Sequence, residues 1–139
     1  MAYSGKFKPQ NPDKYIGDHT KIIYRSSWEC KVMSWLDKNP DIVSWASEEL
    51  IIQYISPVDG KWHRYFPDFL VKTKTKTLLI EVKPKKQTRP PEPQKRVTKK
   101  YLTEVATWGV NEAKWKAAIE YCRDRTWEFK IVTEDDLGL

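Results

Sequence analysis

The sequence predicts an α/β domain with a central mixed β-sheet flanked by helices. Three observations carry that prediction. The 139 residues suit one domain. Seven Trp, seven Tyr and four Phe supply enough apolar area for one core. The apolar patterning runs helix, several strands, helices, final strand, an order that packs helices on a sheet.

Taken in chain order, residues 1–25 are polar and basic, with Gly5, Pro9, Pro12 and Gly17 as breakers, and read as an extended N-terminal arm or irregular lead-in. A helix is expected in "RSSWECKVMSWLDKNP", capped by Ser26 or Ser27 and stopped by Pro40. Trp28, Val32, Trp35 and Leu36 stand at helical spacing and form its expected apolar face. "IVSWA" and "ELIIQYIS" read as strands, and Asp59-Gly60 marks the turn after them. "HRYFPDFLV" and "TLLIEVKP" read as two further strands joined by the polar hairpin "KTKTK". Residues 84–100 hold four Pro, seven Lys or Arg and one Glu, a composition that builds no core, and form a basic, Pro-rich loop or partly disordered segment. Tyr101, Leu102, Val105 and Trp108 suggest a helix that weakens at Gly109. Asn111 caps a second one carrying Trp115, Ile119 and Cys122 at i, i+4 and i+7. "WEFKIVT" closes as a strand, and the whole of 1–139 is expected to be a single domain. The tryptophans are assigned mostly to its core.

A net charge of +6 makes a polyanionic partner plausible without requiring one. Cys30 and Cys122 are far apart in sequence and form no CxxC or Cys/His cluster, as expected of a reduced cytosolic chain. No apolar run approaches a membrane span, and "MAYSGKFKPQ" lacks the apolar core of a signal peptide. The expectation is a cytoplasmic protein with no membrane partner.

The stretch that needs a chemical account is "HRYFPDFLVKTKTKTLLIEVKPKK", where Asp68 and Glu81 interrupt two apolar strands. Side chains on a strand alternate faces, so Glu81 and Lys83 point the same way, roughly 6–7 Å apart. If the two strands pair as a hairpin, Asp68 stands beside Glu81. Two close carboxylates repel unless a cation or a proton lies between them. A hard divalent metal takes oxygen ligands and relieves that repulsion. Lys83 beside it can orient a water or stabilise charge on a phosphate, the logic of metal-assisted phosphodiester hydrolysis. Glu29 lies on the first helix beside the apolar stripe and supplies a third acid.

Pro67-Asp68 followed by Glu81-Val82-Lys83 resembles the signature of the PD-(D/E)xK nuclease superfamily. More of the chain is similar to the head completion nucleases of T-even-type tailed phages: "MAYSGKFKPQNPDKY", "YRSSWECKVMSWLDKNP", "RYFPDF", "IEVKPKK", "WGVNEAKW" and "FKIVTED". The Glu, Asp and x-Lys positions and "NEAKW" resemble, more distantly, the TnsA endonuclease subunit of transposases. The resemblance implies a restriction-endonuclease-like fold and a Mg²⁺-dependent endonuclease, with Mn²⁺ as a substitute ion. It implies catalytic roles for Glu29, Asp68, Glu81 and Lys83, the three acids being metal ligands. It implies double-stranded DNA as substrate, phage head or portal proteins as partners, and work late in head maturation. The place of action is then the host cytoplasm during assembly, or the virion itself, and a homo-oligomer is compatible with it. In the basic loop, Lys85, Lys86, Arg89, Lys95 and Arg96 are the candidate DNA contacts.

Plainer readings stand beside these. Ser26 with Glu29 three residues later is a capping box, a role compatible with a catalytic one. Asp68 alone reads as a strand-end acid, and Glu81 with Lys83 as a solvated cross-strand pair. His63 reads as a surface or hairpin residue, with help at the site as its lesser reading, and Glu48 and Glu49 as strand-edge acids, with a place for one of them in the metal shell as the lesser reading. Two functional rivals keep the same fold: a non-catalytic DNA- or portal-binding head protein, and a branched-DNA resolvase or transposase-type nuclease.

Overall fold

The computed structural model describes residues 2–138; Met1 and Leu139, the ends of the expected domain, lie outside the described residues. Strand β1 (Ala2–Lys6) pairs antiparallel with β2 (Ile23–Ser26). Helix α1 (Ser27–Lys38) follows. A four-stranded sheet holds β3 (Ile42–Ser47), β6 (Phe69–Thr73), β7 (Thr77–Val82) and β8 (Glu128–Val132) in the spatial order 3-6-7-8. β4 (Ile52–Ile55) and β5 (Trp62–Tyr65) form a separate antiparallel ribbon. Helix α2 (Lys99–Arg125) connects β7 to β8, which run parallel, while β3, β6 and β7 are mutually antiparallel. The sheet is therefore mixed, as the sequence predicts.

Both sheet faces are covered, and alternation along β7 decides which residue goes where. Ile80 joins Val32, Met33, Leu36, Trp45, Phe69, Val71 and Val132 in the core under α1. Leu79 points the other way and packs with Ile52, Tyr54, Tyr65, Trp115, Ala118 and Cys122 under α2 and the ribbon. Glu81 shares the parity of Leu79 and is buried too.

Four sequence expectations change. Of the segment expected as an extended arm or irregular lead-in, residues 2–25 are docked on the domain: they hold β1, two short 3-10 turns, and Tyr15 and Ile22 inside the core. What secures them is Asp37, a buried acid near the end of α1 whose carboxylate accepts the N–H groups of Gln10 at 2.8 Å and Asn11 at 3.0 Å. Trp35 is 55% exposed, and Met33 takes its expected place in the core. At 100° per residue Trp35 lies well off the stripe of Val32, Met33 and Leu36. "HRYFPDFLV" is two strands in two sheets, broken at 66–68 by Pro67, which has no N–H for a ladder. The two C-terminal helices are one: α2 runs through Gly109 and Asn111. A mid-helix glycine costs about 1 kcal/mol against alanine, which the packing of Trp115, Ala118 and Cys122 outweighs. Trp62 is 66% exposed, but Trp45 and Trp115 are buried and Trp108 and Trp127 pack half-buried against the second core, so most of the tryptophans serve the core as expected. Both cysteines are free thiols.

Candidate active site

Asp68 sits at the break between the ribbon and the sheet. Pro67 is fully buried and fixes the bend, so the chain enters β6 with Asp68 one step before its first residue. The β6–β7 register pairs Phe69 with Ile80. One step further, the hairpin sets Asp68 against Glu81, as expected from the sequence. Asp68 Oδ2 accepts the N–H of Val82 at 2.7 Å, and the Asp68 carbonyl accepts the N–H of Glu48 at 3.1 Å. Burial, then the charge of Glu81, push the Asp68 carboxyl up from 3.8 to about 8, with Glu29 and Glu48 adding to the rise against the Val82 hydrogen bond.

Glu81 is also pushed up, by burial, with Lys83 the largest opposing influence. Its Oε1 is buried with no hydrogen bond. The hydroxyl of Tyr65 lies beside it, close enough for each to alter the other's ionisation, yet it too makes no hydrogen bond of good geometry. Burial and the neighbouring Glu81 raise the Tyr65 phenol above its ordinary range, so it stays protonated. Lys83 is half-buried; its N–H donates to the carbonyl of Val132 at 2.9 Å, which extends the β7–β8 ladder past Glu81.

Glu29 plays the capping role and faces the site as well. Its N–H donates to the N-cap Ser26 Oγ at 3.1 Å, and its Oε1 accepts the N–H of Arg25 at 3.3 Å. Glu29, Met33 and Leu36 lie at i, i+4 and i+7, so the acid continues the buried stripe toward the sheet end. Burial raises its carboxyl, with Glu48 adding and the Arg25 hydrogen bond opposing. Glu48 follows β3 in the left-handed region, φ 53°, which is unfavourable for a residue with a Cβ. Its carboxylate pairs with Arg25 Nε at 3.1 Å. Glu49 instead meets the Tyr15 hydroxyl at 3.4 Å, and His63 pairs with Asp59 at 2.8 Å in the hairpin.

Asp68 and Glu81 are thus brought together, and Glu29 stands within electrostatic reach. Among the described residues no three His, Cys, Asp or Glu side chains converge as a metal shell. The pair itself fits a hard divalent ion: it offers only oxygen donors, and Glu81 Oε1 is a buried acceptor without a donor. The basic loop begins at the site's edge. Lys85 is tied down there, its N–H donating to Glu134 Oε1 at 2.6 Å and its Nζ pairing with Asp135 at 3.0 Å. Lys86, Arg89, Lys95 and Arg96 are exposed.

Sequence reasoning missed three contributors. Tyr65 reads as an ordinary strand aromatic, and Arg25 stands 23 residues from its partner Glu48 with no pattern linking the two. Lys114, on α2, bears electrostatically on Glu81 and lies within the quoted "NEAKW" stretch, the one available signal.

A buried carboxylate pair on a sheet hairpin, with a lysine two residues on, makes this the candidate active site. Residues 39–134 match the TnsA-like endonuclease N-terminal family, and the chain belongs to it. It is also 46% identical over 142 aligned residues to the head completion nuclease of Enterobacteria phage T4, an alignment covering 99% of this chain and 95% of that protein. No solved structure matches. No helix among the described residues is long and apolar enough to cross a membrane.

Proposed function

We propose that the chain is a Mg²⁺-dependent endodeoxyribonuclease of the PD-(D/E)xK type that processes double-stranded DNA during completion of phage heads. The observation that carries this reading is the buried Asp68–Glu81 pair with an unpartnered Glu81 Oε1, next to Lys83. Family membership and the name of the phage T4 relative support the nuclease class and the head-completion stage. Head or portal proteins are then its partners and the host cytoplasm its place of action.

Asp68 and Glu81 hold the ion, and Glu29 faces them from a carboxylate fixed by the capping box. A bound Mg²⁺ or Mn²⁺ supplies Lewis-acid activation of the phosphodiester. Lys83 holds its ammonium toward the same carboxylates and stabilises charge gathering on the phosphate. The Val82 N–H fixes the orientation of Asp68, and Tyr65 walls Glu81 from water on the α2 side.

The test is cleavage of linear, circular and branched DNA with Mg²⁺, Mn²⁺ or a chelator. Wild type is expected to cut only with metal. Asp68→Ala loses both metal binding, read by calorimetry with Mn²⁺, and cleavage. Lys83→Ala keeps metal binding and loses cleavage by roughly 10²–10³-fold. Wild-type rates for Asp68→Ala would refute the site. Metal-independent DNA or portal binding without any cleavage would instead make the protein a structural head component, and a strong preference for branched DNA a resolvase.

A further inference from the structure

We propose that Lys114 is a second cationic contact for the scissile phosphodiester, working from α2 beside Lys83; the inference rests on the nuclease reading above. The first observation is where its charge goes. On an exposed helix a lysine ordinarily finds an acid at i±3 or i±4 or extends into water. Lys116 does so, with Glu112 at 3.8 Å. Lys114 has Val110, Asn111, Ala117 and Ala118 at those spacings, none of them an acid. It is half-buried, and among the described residues its Nζ makes neither a hydrogen bond nor an ion pair.

Its ammonium lies instead 5.6 Å from the ring centroid of Tyr65 and 5.9 Å from that of Tyr54. Both rings come from the β4–β5 ribbon. A cation held over aromatic faces is positioned without being neutralised, because the rings carry no formal charge. The full positive charge stays available to an anion.

The second observation is what that charge faces. Tyr65 lies beside Glu81, and Lys114 acts on Glu81 through space, as Lys83 does. Asp68, Glu81, Glu29 and Glu48 make the locality acidic, and Arg25 is already paired with Glu48. A phosphodiester approaching this locality is repelled unless cations balance it. Two carboxylate-bound charges of a divalent ion only offset Asp68 and Glu81. Lys83 and Lys114 are the two ammoniums that turn the balance toward an anion. One is fixed by the sheet and the other by the helix and ribbon, so they reach the phosphate from independent supports.

The experiment compares Lys114→Met, which keeps the stem and removes the charge, with Lys114→Arg, which keeps the charge and still stacks on aromatic faces. Steady-state cleavage of linear duplex DNA at saturating Mg²⁺ should show kcat lower by roughly 10²-fold for Lys114→Met and mostly restored in Lys114→Arg. Duplex binding in Ca²⁺ across a salt series should lose about 0.9 from its log–log slope in Lys114→Met. Thermal melts separate this from a packing role. If Lys114→Met melts well below wild type, Lys114→Gln carries the same comparison. Wild-type kcat and an unchanged slope in the charge-free variant, with Lys83→Ala inactive, would overturn the Lys114 contact and leave the nuclease reading standing. A wild type that cuts no DNA with any metal overturns that reading itself.

Discussion

Asp68 is a carboxyl held where its charged form is costly, and that leaves a signature in stability. Burial and the neighbouring Glu81 raise it from 3.8 to about 8 in the folded chain, while in the unfolded chain it ionises at the ordinary value. Between those values the folded state holds a proton that the unfolded state has released, so stability falls as pH rises. The contribution is complete below about pH 4 and is lost as pH passes 8. Glu81 and Glu29 are shifted in the same direction and add to the slope. In chelator, the wild-type melting temperature should therefore drop from pH 5 to pH 8. Asp68→Asn keeps an oxygen for the Val82 N–H, removes the charge and should flatten that decline. At pH 8 it should melt at or above wild type. Added Mg²⁺ should stabilise wild type and leave the variant nearly unmoved. A lower melting temperature for Asp68→Asn in chelator at pH 8 would mean that the carboxylate is held by a stabilising pair.

At the scale of elements, the N-terminal segment is as much a part of the core as α1, and Asp37 is the reason. Its carboxylate takes two backbone N–H groups, its carbonyl accepts Asn11 Nδ2 at 2.9 Å, and Lys14 Nζ bridges that carbonyl to Asn39's at 3.1 and 2.7 Å. Asp37→Ala strands two donors in a half-buried seam and should cost about 1–3 kcal/mol, read from urea midpoints. A loss within the scatter of surface substitutions would mean that water replaces the carboxylate freely. Asp37 shows why this region was illegible in sequence: the partners of a docked segment lie 26 and 27 residues away, and periodicity sees only neighbours on one element. The strands with alternating or continuous apolar residues, β3, β7 and β8, were legible for the opposite reason. The break at Pro67 was readable in principle, since proline donates nothing to a ladder, but the apolar run around it hid the bend. In α2 the local breaker Gly109 lost to tertiary packing that no local rule contains. The juxtaposition of Asp68 with Glu81 was the most legible feature of the candidate site, because it and the placing of Lys83 follow from one hairpin register and one strand's alternation, whereas the placing of Lys114 needs the path of a helix relative to a ribbon.

Across the whole molecule, the candidate site lies at the end of β7, where the chain passes into the basic segment, so on the proposed function the path of DNA depends on which cations there are free. Lys85 is not among them: Asp135 holds its ammonium and Glu134 its backbone. Lys86, Arg89 and Arg96 are exposed; Lys86 lies on a 3-10 turn at Lys85–Thr88, and the prolines at 90, 91 and 93 keep the chain after Arg89 extended. The segment 84–100 carries no aromatic residue to stack on bases, so on the proposed reading it should touch DNA through phosphates and independently of sequence. Each duplex phosphate contact adds about −0.9 to the slope of log affinity against log salt. If all three cations touch phosphate, Lys86→Ala, Arg89→Ala and Arg96→Ala together should make the slope shallower by about 2.7. Affinity should fall about equally for unrelated sequences, and cleavage at saturating DNA should persist because the acid pair is untouched. Lys85→Ala alone should barely change the slope and cost under about 1 kcal/mol of stability through its exposed ion pair. Binding in Ca²⁺, which occupies oxygen sites, gives the slopes across a salt series. A triple variant with the wild-type slope would move the DNA track off this segment, with Lys6 and Lys8 of the N-terminal segment the next cations to replace.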